Sequence, residues 1–178
     1  MEIQELIEGT LADYRNRLET ALAGLTTEEL AWRPDHQSNS IGFILWHLAR
    51  VEDRWICYFV RGDEDIWVKN TWYRKFGLAQ GDHGVGFTLE QVARFPALAL
   101  EDLLGYVHAV HREVVGFVQQ LHAADLDVVP GRIPFPPSTP RGAEEWSVGR
   151  MFRQLFGELN QHLGQIRYLR GMIRGFNQ

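Results

Sequence analysis

The sequence predicts an all-α fold, a four-helix bundle with a long crossover loop between the second and third helices. Three observations point there. Four stretches carry apolar residues at three- and four-residue steps, the amphipathic helical period. No stretch shows the two-residue alternation of a half-buried strand. The connection after the second helix is far longer than the roughly 2–8 residues usual between bundle helices. A chain of 178 residues without an internal repeat fits a single domain spanning 1–178.

The first helix is expected over about Glu2 to Leu25, with Ile3, Leu6, Ile7, Leu11, Tyr14, Leu18 and Leu22 as its stripe. Thr26-Thr27-Glu28-Glu29 followed by Trp32-Arg33-Pro34 predicts one short turn of helix, ended by the proline. Ser40 is the expected cap of the second helix, Ile41 to about Val60. There Phe43, Ile44, Leu48, Val51, Trp55, Ile56 and Phe59 cover more than half the circumference. So wide an apolar arc predicts packing on two sides, one of them against a second subunit of a homodimer.

Arg61 to Phe87 is the crossover, with Trp67, Trp72, Tyr73, Phe76 and Phe87 set among polar residues and glycines. These rings are expected either to wall a pocket or to cap the end of the core. Thr88 to Val92 predicts a short helical segment. The third long helix runs from about Leu98 to Ala123, striped by Leu100, Leu103, Leu104, Val107, Val110, Val114, Val118 and Leu121. A second long connection, Asp125 to Trp146, holds five prolines, including Pro136-Pro137. The fourth helix, capped by Ser147, extends to about Arg174 through Met151, Phe152, Leu155, Phe156, Leu159, Leu163, Ile166 and Ile173.

Composition narrows the function. The chain is 45% hydrophobic and 23% charged, as soluble globular proteins are. A net charge of -5 argues against nucleic acid, which requires a basic face. One cysteine, Cys57, excludes a disulfide framework and an all-thiolate metal site. No run approaches the roughly 18 apolar residues of a membrane span, and Glu2 and Glu5 open the chain where a signal sequence would be basic. The expectation is a soluble cytoplasmic protein with no membrane partner.

Polar residues interrupt the predicted core. At about 100° per residue, His162 falls inside the stripe of the fourth helix, and Glu158 lies one turn earlier on the same side. His47 shares a face of the second helix with Phe43, Ile44, Val51 and Tyr58. A buried carboxylate requires a partner, and a divalent cation would serve all three groups. Residues at i and i+4 lie side by side, so Glu158 and His162 can reach one ion, and a facing helix adds the third ligand. Two histidines and a carboxylate suit Zn, Ni, Fe or Mn, with water or substrate completing the sphere. The alternative needs no metal: His162 donates to Glu158 or to a carbonyl, and His47 packs as a satisfied core histidine.

His111 falls in the stripe of the third helix, with His108 on its flank, and is the reserve third ligand or a supporting residue. His36, His83 and His122 are expected to be exposed. Cys57, about 80° from His47 on the helix, is expected to be buried and inert.

Three local sequences add a resemblance. Ser40-Ile41-Gly42-Phe43-Ile44-Leu45-Trp46-His47-Leu48 resembles the S-I-G-x-L-x-x-H-L opening of the second helix in the DinB/YfiT-like superfamily of metalloenzymes. Trp32-Arg33-Pro34 is similar to the lead-in of that family, and His162-Leu163-Gly164-Gln165 to its H-x-G-Q signature on the last long helix. The resemblance implies a four-helix bundle with a long crossover. It also implies a divalent metal held by one histidine of the second helix and an H-x-x-x-H pair of the last. Carried over, His47 and His162 take two places, and Glu158 stands where the commoner pattern has histidine. That departure is similar to E-x-x-x-H versions near the mycothiol-dependent maleylpyruvate isomerases.

The implied activities are thiol-dependent transfer and isomerisation, in which a metal activates a low-molecular-weight thiol against a small-molecule substrate; a hydrolase is the related possibility. Arg50 and Arg54, beside the His47 face, are candidates to steer a carboxylate, and Tyr58 to donate a hydrogen bond or proton. Solvated arginines and a core tyrosine are the simpler expectation for them. The competing function is a non-catalytic bundle, metal-binding or metal-free, acting in a stress response or in protein interaction.

Overall fold

The amphipathic stretches fold as helices, and their caps decide where each begins. In the computed structural model, which describes residues 2–136 and 140–175, α1 spans Ile3–Leu22 and buries Ile7, Leu11, Tyr14, Leu18 and Leu22. Leu6, predicted in that stripe, lies off it and is half exposed. Thr26 and Glu29 form a reciprocal capping box that starts α2 (Thr27–Ala31). Ser40 then accepts a hydrogen bond from the Phe43 N–H and starts α3 (Ile41–Asp53).

The second predicted helix continues without a break but changes character. From Arg54 to Val60 it is a π-helix, in which the Arg61 N–H reaches back to the Ile56 carbonyl. The wider turn lets Trp55, Ile56, Cys57 and Phe59 all face inward. Such segments are rare and occur often at functional sites.

The crossover is a string of short helices, not a bare loop: α4 (Ile66–Lys69), α5 (Trp72–Phe76) and α6 (Leu89–Ala93). Asp53 of α3 accepts from the Ile66 and Trp67 N–H groups at 2.8 and 2.9 Å, and so holds the start of α4 against the bundle. Trp67 and Phe76 are buried. Together with Trp72 they form one cluster around Tyr106, with ring centroids 5.3–6.2 Å apart. These rings pack as part of the core. Each ring of this size removes roughly 150–250 Å² from water, worth about 4–6 kcal/mol before ordering entropy is subtracted.

α7 (Leu100–Val118) begins and ends inside the predicted range. It ends in tighter turns, in which the Gln120 and Leu121 N–H groups reach the Phe117 and Val118 carbonyls. The His122 backbone N–H then donates to Asp125 and opens a separate 3₁₀ turn at Ala123–Asp127. α8 (Val148–Arg174), capped by Ser147, buries Met151, Phe152, Leu155, Leu159, Leu163 and Ile166 as expected. The proline-rich connection before it is anchored by aromatic rings: Phe135 and Trp146 both pack on Trp55 of the π-helix. Pro137, of the predicted Pro136-Pro137 pair, lies outside the described residues.

The four long helices pack on one another, α3 against α7 and α8, and α1 against the same two. No strand occurs among the described residues. All 13 residues of α3 are buried within this single chain, because α2 and the crossover cover the sides that α7 and α8 leave open. The wide apolar arc therefore needs no second subunit, and the homodimer expectation loses the observation it was built on. Among the described residues no helix is long and apolar enough to cross a membrane.

Candidate metal centre

His47 sits in the second turn of α3, and Glu158 and His162 sit mid-way along α8, where the two helices pack. One ligand atom from each side chain lies within 4.8 Å of those of the other two. The His47 and His162 rings meet edge to face, with centroids 5.3 Å apart. His162 Nε2 lies 3.3 Å from Glu158 Oε2. His47 is buried, while the Glu158 side chain is 28% exposed, so the cluster opens to solvent on the α8 side.

Each of the three groups has a second partner on its outer side. His47 Nδ1 lies 2.8 Å from the His83 carbonyl oxygen; a carbonyl only accepts, so Nδ1 carries the proton and Nε2 is left with a lone pair. His162 Nδ1 bonds Gln165 Oε1 at 2.8 Å in the same sense. Gln154 Nε2 donates to Glu158 Oε1 at 2.8 Å, leaving Oε2 to face His162. The outer bonds thus leave His47 Nε2 and the pair His162 Nε2 and Glu158 Oε2, which face each other at 3.3 Å. Outer hydrogen bonds that fix tautomer and ring orientation are the habit of metal-binding histidines.

Protonation fits the same picture. Burial pushes the His47 imidazole down to about 4, so it stands neutral at pH 7. The hydrogen bond from His162 holds the Glu158 carboxyl below its usual range. Burial alone would lower His162, but its hydrogen bonds to Glu158 and Gln165 outweigh that and raise it. With no cation, His162 Nε2 and Glu158 Oε2 face each other directly, an ion pair whenever the imidazole is protonated. The donor set of two imidazoles and one carboxylate fits a divalent transition ion.

The other predicted residues are placed differently. His111 is outside this group; it lines a separate groove between α1 and α7 with Arg15, Glu19 and His108. Burial and then the Arg15 charge push it down to about 4. Arg50, expected to be solvated, has a side chain only 1% exposed and bonded to Asp53, Asp65, Tyr106 and the Asp82 carbonyl. Its burial follows from the two carboxylates that meet it. Arg54 donates twice to the Pro134 carbonyl and once to Asp65, and lies 4.2 Å over the half-buried Tyr58 ring. Arg50 and Arg54 are therefore occupied in holding the two long connections. Cys57 is buried, and burial followed by the Asp53 charge pushes its thiol up.

His83 is the residue that periodicity missed. It is half-buried, not exposed: its ring packs on Phe135, its Nδ1 accepts from the Val85 N–H, and it bonds the Pro136 backbone. Burial, and then the charges of Arg50 and Arg54, push it down to about 4. A loop carbonyl leaves no periodic mark in a sequence. Gln154 and Gln165 do, because they stand four residues before Glu158 and three after His162, on the same helical side.

The family model of the DinB superfamily matches residues 10–166, and the chain belongs to that superfamily. Among solved structures, the chain is similar to the crystal structure of a conserved protein from Enterococcus faecalis, at 22% identity. The match covers 99% of each chain with a TM-score of 0.82, a likeness of fold. No curated protein matches.

Proposed function

We propose that this chain is a divalent-metal-dependent enzyme acting on a small-molecule substrate, with His47, Glu158 and His162 as the protein ligands. The observation that carries the reading is the arrangement of outer hydrogen bonds. His83, Gln165 and Gln154 each occupy one polar atom of a candidate ligand, while one ligand atom of each of the three side chains lies within 4.8 Å of the others. Three protein ligands leave room for a further one, which is the condition for chemistry and not mere scaffolding. A bound divalent ion supplies Lewis acidity, lowering the pKa of a thiol or water so that it is nucleophilic at neutral pH.

The chain's own contribution is to hold His47 buried and neutral and to present Glu158 at the open side. The thiol-dependent transferase or isomerase reading rests on the family resemblance, with a hydrolase as the related chemistry. A second reading is a non-catalytic, metal-free bundle, favoured by the 3.3 Å contact of His162 with Glu158, which satisfies both groups without an ion.

Elemental analysis of protein prepared without an affinity metal, beside His47→Ala and His162→Ala, separates the two. About one ion per chain, lost in both variants, is expected. No ion after incubation with excess zinc, manganese or iron gives the site to the metal-free reading.

A further inference from the structure

Arg50 is the most deeply buried cation near the candidate metal centre, and its hydrogen bonds divide into two kinds. Nη1 and Nη2 face Asp53 Oδ2, Tyr106 Oη and Asp65 Oδ2 at 3.1–3.2 Å, contacts that offset the cost of burying the charge. Nε is spent on something else. It donates at 2.9 Å to the carbonyl of Asp82, the residue that immediately precedes His83.

Residues 79–85 form a strap laid across α3. Asp82 Oδ2 accepts from the Ala79 N–H at 2.9 Å, which closes a turn, and the Trp67 indole N–H lies 3.4 Å from the Ala79 carbonyl. Two successive carbonyls of the strap are held from α3, Asp82 by Arg50 and His83 by His47. Arg50 and His47 are three residues apart on that helix, so they stand side by side on one face. Gly84 follows with φ +80°, and a Cβ there would fall 2.7 Å from His47 Nδ1. The strap therefore approaches the imidazole as closely as a backbone can.

We propose that Arg50 is a positioning residue for the metal centre. By pinning the Asp82 carbonyl it places the His83 carbonyl on His47 Nδ1, which fixes the tautomer that leaves Nε2 with a lone pair for a metal. The inference deepens the metal-site reading and rests on it for its consequence, while the positioning itself exists in the metal-free chain. Charge balance alone does not account for the arrangement, because the contact to Asp82 adds nothing to the pairing with Asp53 and Asp65. A lysine would keep the charge but lacks the planar fork that serves two carboxylates and a carbonyl at once.

The test is the His47 tautomer, read by long-range ¹H–¹⁵N correlation in the metal-free protein, for wild type, Arg50→Lys and Arg54→Lys. A single Nδ1–H tautomer is expected in wild type and Arg54→Lys, and a mixture in Arg50→Lys. Zinc affinity should fall about 10–100-fold in Arg50→Lys, the usual effect of losing an outer support. A folded Arg50→Lys that keeps one tautomer overturns the proposal, as does the same mixture in Arg54→Lys. Should Arg50→Lys fail to fold, the coupling across the hydrogen bond between Arg50 Nε and the Asp82 carbonyl in wild type decides: its presence supports the proposal and its absence overturns it. A wild type that binds no zinc overturns the metal reading but leaves the tautomer result standing.

Discussion

The imidazole of His47 donates from Nδ1 to the backbone carbonyl of His83, 36 residues further along the chain and 2.8 Å away in space. A helix residue is thereby oriented by a connection that carries no helical periodicity at that point. Several measurable consequences stem from this contact and from the packing around it.

Gly84→Ala should damage the site and the fold together. The glycine has φ +80°, and the added methyl carbon would meet His47 Nδ1 at 2.7 Å and the Trp46 ring at 3.1 Å. Urea unfolding should show a loss of about 1–3 kcal/mol, the cost of a non-glycine residue in a strained region. Metal affinity should fall with it. Unchanged affinity in the variant would mean that the strap does not orient His47.

Gln154→Leu and Gln165→Leu remove the outer partners of Glu158 and His162 while leaving the ligands in place. Each should weaken metal binding about 10–100-fold with little change in thermal stability. Competition titration against a zinc chelator measures it. Affinities equal to wild type would assign both glutamines to the solvated surface.

Stability should decline in mild acid. Burial keeps His47, His83 and His111 neutral to about pH 4, whereas in the unfolded chain they take up protons near the ordinary histidine value of about 6.5. The unfolded state therefore binds more protons between those values, and stability falls as pH is lowered through that window. Each fully buried group contributes up to about 1.4 kcal/mol per pH unit; half-buried His83 and His111 contribute less because water screens them. Urea midpoints at pH 7, 6, 5 and 4 give the slope, and His111→Gln should make it shallower. A flat profile would show that these rings are solvated.

Phe135→Ala should cost about 3–5 kcal/mol, the usual range for deleting a core aromatic. The ring is buried against Trp55 and against His83. Differential scanning calorimetry provides the comparison. Because the same ring supports His83, metal affinity should drop as well, unlike in a Ser147→Ala variant, where only a helix cap worth about 1 kcal/mol is lost.

What the sequence revealed and what it hid divide along physical lines. Helical spacing places Glu158 beside His162 and puts His47 on an inward face, since a 3.6-residue period is a rigid ruler. Ser40 and Ser147 mark helix starts by local chemistry alone. Arg50 was misread because its burial depends on Asp65 and Tyr106, 15 and 56 residues away, and no local pattern encodes such pairings. The same applies to Trp67, whose neighbours Trp46 and Tyr106 come from two different helices. The π-helical stretch escaped because its apolar residues also satisfy the α-helical period.

The ring of His83 joins the two long connections, packed on Phe135 and bonded to Pro136 from one while belonging to the other. Segments of this length in most proteins open on their own at little free-energy cost, independently of the helices. Here neither can lift away without exposing the other's aromatic anchor and taking a backbone acceptor from Arg50 or Arg54. Amide exchange in 79–87 should accordingly resemble that of α3 more than that of a surface loop, making the connections part of the same cooperative unit as the core they cover.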